Sequence, residues 1–315
     1  MNLETGHRPT LSILCPVFNE EVVIPLFAAR MMPVIRRLSE RYLIRLVFLN
    51  NASTDRTLDM IATVHEEWTE TFVISMSRNV GYQASLQCGL AHIKADLYAF
   101  IDVDCEDPPE MIETFIERYE DGFDIVYGER VDRPEPPAIK AARKYFYRLL
   151  QKVADDDILL DMAEFSLITA EVREAVLNDR SSFPFLRASI ARVGFRRCAV
   201  AFTRQRRIAG TTHYNLLGMS VFAVAGLLAA STLLLRLPVY LLPVWLFMLA
   251  VLGAGAVAFH SPWLLLAVFM VFAGYLGTAV ACIALYVARA YKNGLQRPNA
   301  VIDRRTTRLP AQDPE

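Results

Sequence analysis

Short apolar runs alternate with longer amphipathic stretches through the first part of the chain. "LSILCPVF" (11–18), "IRLVFLN" (44–50), "TFVISMS" (71–77), "LYAFIDVD" (97–104) and "FDIVYG" (123–128) read as strands. Between them, "EEVVIPLFAARMMPVIRRLSE", "STDRTLDMIATVHEE" and the segment from Tyr82 to Ile93 read as helices, with Ser53 placed to cap the second. Pro108-Pro109 opens a further helix, with Asp107 as its cap. Strands alternating with helices predict an α/β fold with a largely parallel sheet covered on both faces. In such sheets ligands bind beyond the carboxyl ends of the strands. Every predicted strand here ends in polar residues: Asn19-Glu20, Asn50-Asn51, Ser77-Arg78-Asn79, Asp102 to Asp104, and Gly128-Glu129-Arg130. These ends should converge on one crevice.

The second part of the chain changes character. Hydrophobic residues make up 54% of the whole, high for a soluble protein. The excess is concentrated between Leu237 and Ala288, where there is no Asp, Glu, Lys or Arg. A hydrocarbon core of ~30 Å needs about 20 helical residues, so this run predicts two membrane spans, 237–259 and 263–287, turning at His260-Ser261-Pro262. Arg204, Arg206 and Arg207 precede the apolar region, Arg289, Lys292, Arg297, Arg304, Arg305 and Arg308 follow it, and the turn is uncharged. Both basic flanks are therefore expected in the cytoplasm. The uncharged segment from Asn215 to Leu235 is expected to lie along the interface, with three crossings as the alternative. The predicted organisation is a catalytic domain over 1–210, an interfacial helix over 211–236, a two-helix membrane region over 237–290 and a cytoplasmic tail over 291–315. The start "MNLETGHRPT" has no signal-peptide pattern. A net charge of −1 gives no electrostatic reason to expect nucleic acid. The single cysteines Cys15, Cys88, Cys105, Cys198 and Cys282 have no zinc spacing and read as reduced, buried thiols.

Candidate chemistry is densest in "AFIDVDCEDPPEMIE", which gathers Asp102, Asp104, Glu106, Asp107 and Glu110. Carboxylates this close repel and raise one another's pKa values unless something positive lies among them. Asp102 and Asp104, two apart at a strand end, would face the same way and suit Mg²⁺ or Mn²⁺. The competing reading is a solvated acidic loop.

Several stretches, in order along the chain, carry a family resemblance: "SILCPVFNEE", "NNASTDRT", "RNVGYQASLQCGL", "DVDCEDPPE", "YGER", "RKYFYRLL", "RRIAGTTHY" and "YVARAYKNGLQRP". The chain resembles the polyprenyl-phosphate glycosyltransferases of glycosyltransferase family 2, the dolichol-phosphate mannose synthase and bactoprenol glucosyltransferase type. The resemblance implies a GT-A nucleotide-diphospho-sugar domain, an integral membrane enzyme with its catalytic domain and C-terminus cytoplasmic, and self-association. It implies that Pro16, Asn19, Glu20, Asn51 and Asp55 line the nucleotide pocket. Asp102 and Asp104 would hold the divalent metal and the donor diphosphate, with Glu106 near the metal. Arg130 and Arg143 would grip the acceptor phosphate, and Arg207 would serve the donor diphosphate or the acceptor. The partners implied are a UDP- or GDP-sugar, a polyprenyl phosphate and membrane lipids.

Three positions depart from that pattern. Asn50-Asn51-Ala52 stands for Asp-Asp-Gly, Ala163-Glu164-Phe165-Ser166 for Gly-Asp-Phe-Arg, and His213 for a Lys. A synthase that extends a polysaccharide would carry a Gln-x-x-Arg-Trp motif, which this sequence lacks. A non-catalytic membrane scaffold that keeps the nucleotide-binding fold is the rival of a different class, and a glycosyltransferase with another acceptor is a third reading.

Overall fold

The structure, a computed structural model, describes residues 8–132, 162–178, 185–209 and 231–310. Arg143, His213, the Tyr145–Tyr147 aromatics and residues 215–230 of the expected interfacial segment lie outside the described residues.

Seven strands form one sheet: β1 (Thr10–Val17), β2 (Leu43–Asn50), β3 (Thr71–Ser75), β4 (Leu97–Phe100), β5 (Ile125–Asp132), β6 (Met162–Thr169) and β7 (Arg197–Thr203). Their order is β3-β2-β1-β4-β6-β5-β7. The β3-β2-β1-β4 half is parallel, as the alternation of strands and helices predicts. β6 departs from that prediction: it runs antiparallel between β4 and β5, and β7 returns parallel to β5. The helices of this domain are α1 (Val23–Leu38), α2 (Thr57–Glu67), α3 (Tyr82–His92), α4 (Met111–Glu120), α5 (Ala170–Leu177) and α6 (Leu186–Arg192).

Period-two alternation sends Leu11, Ile13 and Cys15 of β1 to one face and Leu14 to the other. The first face packs Phe27, Met31 and Ile35 of α1 with Phe115 of α4, Phe165 and Phe202. The second packs Leu86 and Leu90 of α3 with Leu49, Ile74, Ile168 and Ile190. α3 lies very close to the sheet because it presents Gly89 there; a Cβ would come within 2.7 Å of the Leu49 side chain.

Three local expectations are corrected. β4 stops at Phe100, so Asp102 and Asp104 lie in the loop beyond the strand and not on it. Ser53 does not cap α2: the helix starts at Thr57, whose N–H donates to Asp55, while Ser53 Oγ accepts from Asn19 N. Asp107 does not cap α4, which begins at Met111 after a turn built on the Pro108 and Pro109 carbonyls.

The apolar region forms α7 (Leu233–Ala258) and α8 (Pro262–Gly294), both long and apolar enough to cross a membrane. Leu233–Arg236, expected in the interfacial helix, belong to α7. α7 and α8 form an antiparallel hairpin. Ser261 caps α8, the Trp245 and Tyr275 rings pack at a tilt with centroids 5.4 Å apart, and the Tyr286 hydroxyl donates to Ser231 O at 2.7 Å. The start of α7 and the end of α8 therefore lie at one end of the pair. Beyond α8 the tail reaches β3, where Ile302 and Arg308 make antiparallel bridges to Met76 and Val73. This covers an otherwise open sheet edge.

Candidate active site

The loops after β1, β2 and β4 meet at the carboxyl ends of the strands. Each contains a non-glycine residue with positive φ: Asn19 (54°), Ala52 (59°) and Cys105 (55°). Asparagine tolerates this conformation; alanine and cysteine adopt it at a cost. Position 52, where related sequences are expected to carry Gly, is thus one where glycine's freedom matters.

The residues expected along the nucleotide wall form a hydrogen-bonded ring of loops. Asn19 Oδ1 accepts from Thr54 N at 2.8 Å. Asn51 Nδ2 donates to Asn79 and its Oδ1 accepts from Val80 N at 2.8 Å, fastening the β2 loop to the β3 loop. Asp55 turns inward to accept from Thr57 N and Glu21 N. Burial pushes the Asp55 pKa up, but the hydrogen bonds from Thr57 and Glu21 outweigh it and leave it below the usual carboxylate range. Pro16 is the penultimate residue of β1, beside Leu49 of β2.

The acidic loop is matched by arginines from distant parts of the chain. Arg30 of α1 forks onto Glu110 with two contacts of 2.9 Å. Arg130 of β5 pairs with the deeply buried Asp107 at 3.2 Å, Arg204 pairs with Glu106, and Arg207 pairs with Glu20 at 2.7 Å while reaching Asp104 at 3.8 Å. Backbone bonds from Gln205 N to Glu106 O and from Ile208 N to Asp104 O lay the segment after β7 along the acidic loop. Four of the five clustered carboxylates thus have a guanidinium partner.

Asp102 is the exception. Its only hydrogen bond among the described residues comes from the Tyr82 hydroxyl, at 2.8 Å, and it has no ion pair there. Burial, then Asp104 and Asp107, push its pKa up to about 7, against the pull of Tyr82. Burial also raises Asp104 and Asp107, opposed by Arg207 and Arg130 respectively. Beside Tyr82, Gln83 Nε2 donates to Glu164 Oε1 at 2.8 Å and Gln83 Oε1 accepts from Leu186 N at 2.9 Å. Arg187 pairs with the same Glu164 oxygen at 2.8 Å. Ser166, where the resemblance leads one to expect a cation, is fully buried between β4 and β5; Arg187 of α6 brings a cation to Glu164 instead.

The structure therefore brings Asn19, Glu20, Asn51 and Asp55 into one wall, and Asp102, Asp104, Arg130 and Arg207 into one acidic and basic centre. It does not gather Asp102, Asp104 and Glu106 at one point: Glu106 is held by Arg204, and no three acidic, His or Cys side chains among the described residues converge as a metal cage. Reading the sequence missed Arg30, Tyr82, Gln83 and Arg187. Tyr82 and Gln83 lie inside "RNVGYQASLQCGL", so the motif was visible; the arginines had no local signal.

The model of the family "Glycosyl transferase family 2" matches residues 12–177. An uncharacterized glycosyltransferase, YkcC, of Bacillus subtilis is 30% identical over 302 residues, 93% of each chain. A prophage bactoprenol glucosyl transferase homolog of Escherichia coli is 29% identical over 307 residues, 93% of this chain and 98% of the relative. The solved structure of a mycobacterial protein superposes with a TM-score of 0.50 at 19% identity, covering 70% of this chain and 75% of the other. The fold is of the GT-A type, and the chain belongs to glycosyl transferase family 2.

Proposed function

We propose that the protein transfers one sugar from a nucleotide-diphospho-sugar to a polyprenyl phosphate at the cytoplasmic face of a membrane, with inversion at the anomeric carbon. The observation that carries this reading is the partly buried Asp102, without a cation of its own among the described residues, within a ring of carboxylates already matched by arginines. Bactoprenol in the relative's name supports the lipid acceptor. The hairpin α7–α8 gives the lipid a place to stay, and the return of the tail to β3 fits a catalytic domain and C-terminus on one side of the bilayer.

The donor set suits a hard divalent cation, Mg²⁺ or Mn²⁺, because Asp102 and Asp104 offer oxygen ligands and Asp102 carries excess negative potential. With fewer than three protein ligands, the remaining positions would be filled by water and phosphate oxygens. Asp102 and Asp104 would hold the ion, whose contribution when bound is to offset the charge developing on the departing diphosphate.

The rest of the chemistry falls to the chain. The wall of Asn19, Glu20, Asn51 and Asp55 positions the nucleotide. Arg130 Nε is buried and has no hydrogen-bond partner among the described residues, so a phosphate oxygen arriving there would satisfy it. Arg207, shared between Glu20 and Asp104, is placed to answer a second anion. A phosphate nucleophile is already ionised near neutral pH and needs no strong base. Catalysis then consists of bringing two anions together and holding the sugar in line. One displacement gives inversion without a sugar–enzyme intermediate.

The test is sugar transfer by the detergent-solubilised full chain, offered labelled UDP- and GDP-sugars, undecaprenyl phosphate, and Mg²⁺ or Mn²⁺, with Asp104→Asn alongside. A lipid-linked product that depends on metal and that the variant fails to make is expected. Transfer to a water-soluble acceptor alone would reject the lipid-phosphate reading.

A further inference from the structure

A cavity of about 430 Å³, away from the acidic centre, lies between α3 and the elbow after α8. Gln87 and His92 line it from α3, and Lys292, Arg297 and Asn299 from the elbow. Asn299 Nδ2 donates to Gln87 Oε1 at 2.8 Å, which ties the two walls together. His92 is turned back on its own helix, its Nδ1 donating to Cys88 O at 2.8 Å. The described lining holds no Asp or Glu. Neither Lys292 nor Arg297 makes a hydrogen bond or an ion pair among the described residues. Two cations sharing one cleft repel unless an anion lies between them.

The depth of the cleft is set by α8. Its 33 residues run ~50 Å at ~1.5 Å each, somewhat more than the ~40–45 Å of a bilayer including its headgroups. A helix that starts at the far headgroup layer therefore ends, with Lys292 and the elbow, at the near one. Gln296, with φ of 47°, turns the chain there and carries Arg297 back over the cleft.

We propose that this cleft is a binding site for a phosphate-bearing anion, supplied in the bilayer by an anionic phospholipid headgroup. Lys292 contributes a point charge and Arg297 a planar fork for the phosphate oxygens. Neither Arg130 nor Arg207 lines the cleft. It sits on α3, whose first turn carries Tyr82 and Gln83 into the active centre, so the headgroup holds the catalytic domain against the membrane by the helix that forms one wall of its centre. The inference rests on α8 crossing a membrane and not on the identity of the acceptor.

The experiment compares the full-length protein with Lys292→Gln/Arg297→Gln in nanodiscs of phosphatidylcholine alone or with phosphatidylglycerol. Thermal stability and the phosphatidylglycerol retained after purification are the readouts. The wild type is expected to melt higher in the anionic discs, and the double variant to lose most of that gain and bind phosphatidylglycerol roughly tenfold more weakly or worse. Lys292→Arg should keep it. Glycerol phosphate in solution forms a second arm: stabilisation of the wild type but not of the variant, as large as that from the lipid, would support the phosphate site and assign its ligand to solution. Equal behaviour of wild type and double variant toward both would overturn the site. So would a loss of stability in the variant that is the same in both disc types, because the cations would then be acting within the fold.

Discussion

The Tyr82 hydroxyl donates to Asp102 Oδ1 at 2.8 Å, and among the described residues this is the only hydrogen bond that the partly buried carboxylate receives. It favours the ionised form, against burial and the neighbouring carboxylates of Asp104, Asp107 and Glu164. A hydrogen bond to a charged group is worth ~1.5–3 kcal/mol. Tyr82→Phe should therefore make Asp102 harder to ionise and weaken Mn²⁺ binding about tenfold or more, with the fold intact. Calorimetric titration of Mn²⁺ at pH 6.5 and pH 8 checks this. A deficit larger at the lower pH identifies Tyr82 as a positioning residue acting through Asp102, whereas a change that ignores pH would point to packing alone.

Asp102 also sets a direction for stability. Its pKa is raised to about 7 in the folded chain, from about 3.9 in an unfolded one. The folded state holds its proton more tightly, so the contribution to stability is fully present below about pH 4 and is lost as pH rises through about 7. A divalent cation that displaces the proton reverses this. In EDTA the melting temperature should fall between pH 5 and pH 8 more than it does with Mn²⁺, and Mn²⁺ binding near pH 6.5 should release close to one proton. Potentiometry during the titration measures that proton. Asp102→Asn should abolish both the release and the difference between the two melting curves.

The parallel half of the sheet was legible because each strand is an apolar run ended by polar residues, and β1, β2 and β3 appear where that pattern places them. β4 was read four residues too long, since Ile101 and Val103 continue the alternation after the ladder has ended. β6 and β7 were not read as strands. "MAEFSLIT" owes its antiparallel place to β4 and β5, partners distant in sequence, and "RCAVAFT" is half exposed. The acidic loop announced itself, but its partners did not: Arg30 and Glu110 are 80 residues apart, and nothing near Arg30 marks it as the answer to that charge. Cys198 is the one cysteine that is not buried, because it lies on β7 at the sheet edge.

Glu164 depends on Arg187 and Gln83, and its second oxygen is buried without a partner among the described residues. Removing the guanidinium leaves a mostly buried charge with one neutral donor. Arg187→Ala should cost about 2 kcal/mol, between the ~1 kcal/mol of an exposed pair and the ~3–5 kcal/mol of a fully buried one. Thermal unfolding checks the loss. Adding Glu164→Gln to Arg187→Ala removes the orphaned charge and should recover part of the stability. If the double variant is no more stable than the single, the ion pair is not what Arg187 contributes.

The tail gives the most direct test of how the α7–α8 hairpin and the α/β domain hold together. Val73 and Arg308 exchange backbone bonds of 3.0 and 2.8 Å, Asp303 N donates to Ser75 O at 2.8 Å, and Ser77 N donates to Val301 O at 2.8 Å. Thr307 Oγ1 accepts from Ser75 N at 3.0 Å. At ~0.5–1.5 kcal/mol net for each, these bonds are worth a few kcal/mol together. Ending the chain after Ala300 keeps α8 and the Asn299–Gln87 contact but uncovers the β3 edge, a template for pairing with another chain. The truncated protein should melt several degrees lower and aggregate faster in the same detergent, while its Mn²⁺ affinity stays within about twofold because none of the described residues beyond Ala300 bonds to the acidic loop. Thr307→Ala should show a small fraction of the same loss. A truncation that leaves melting and aggregation unchanged would mean that the tail rests on β3 without stabilising it.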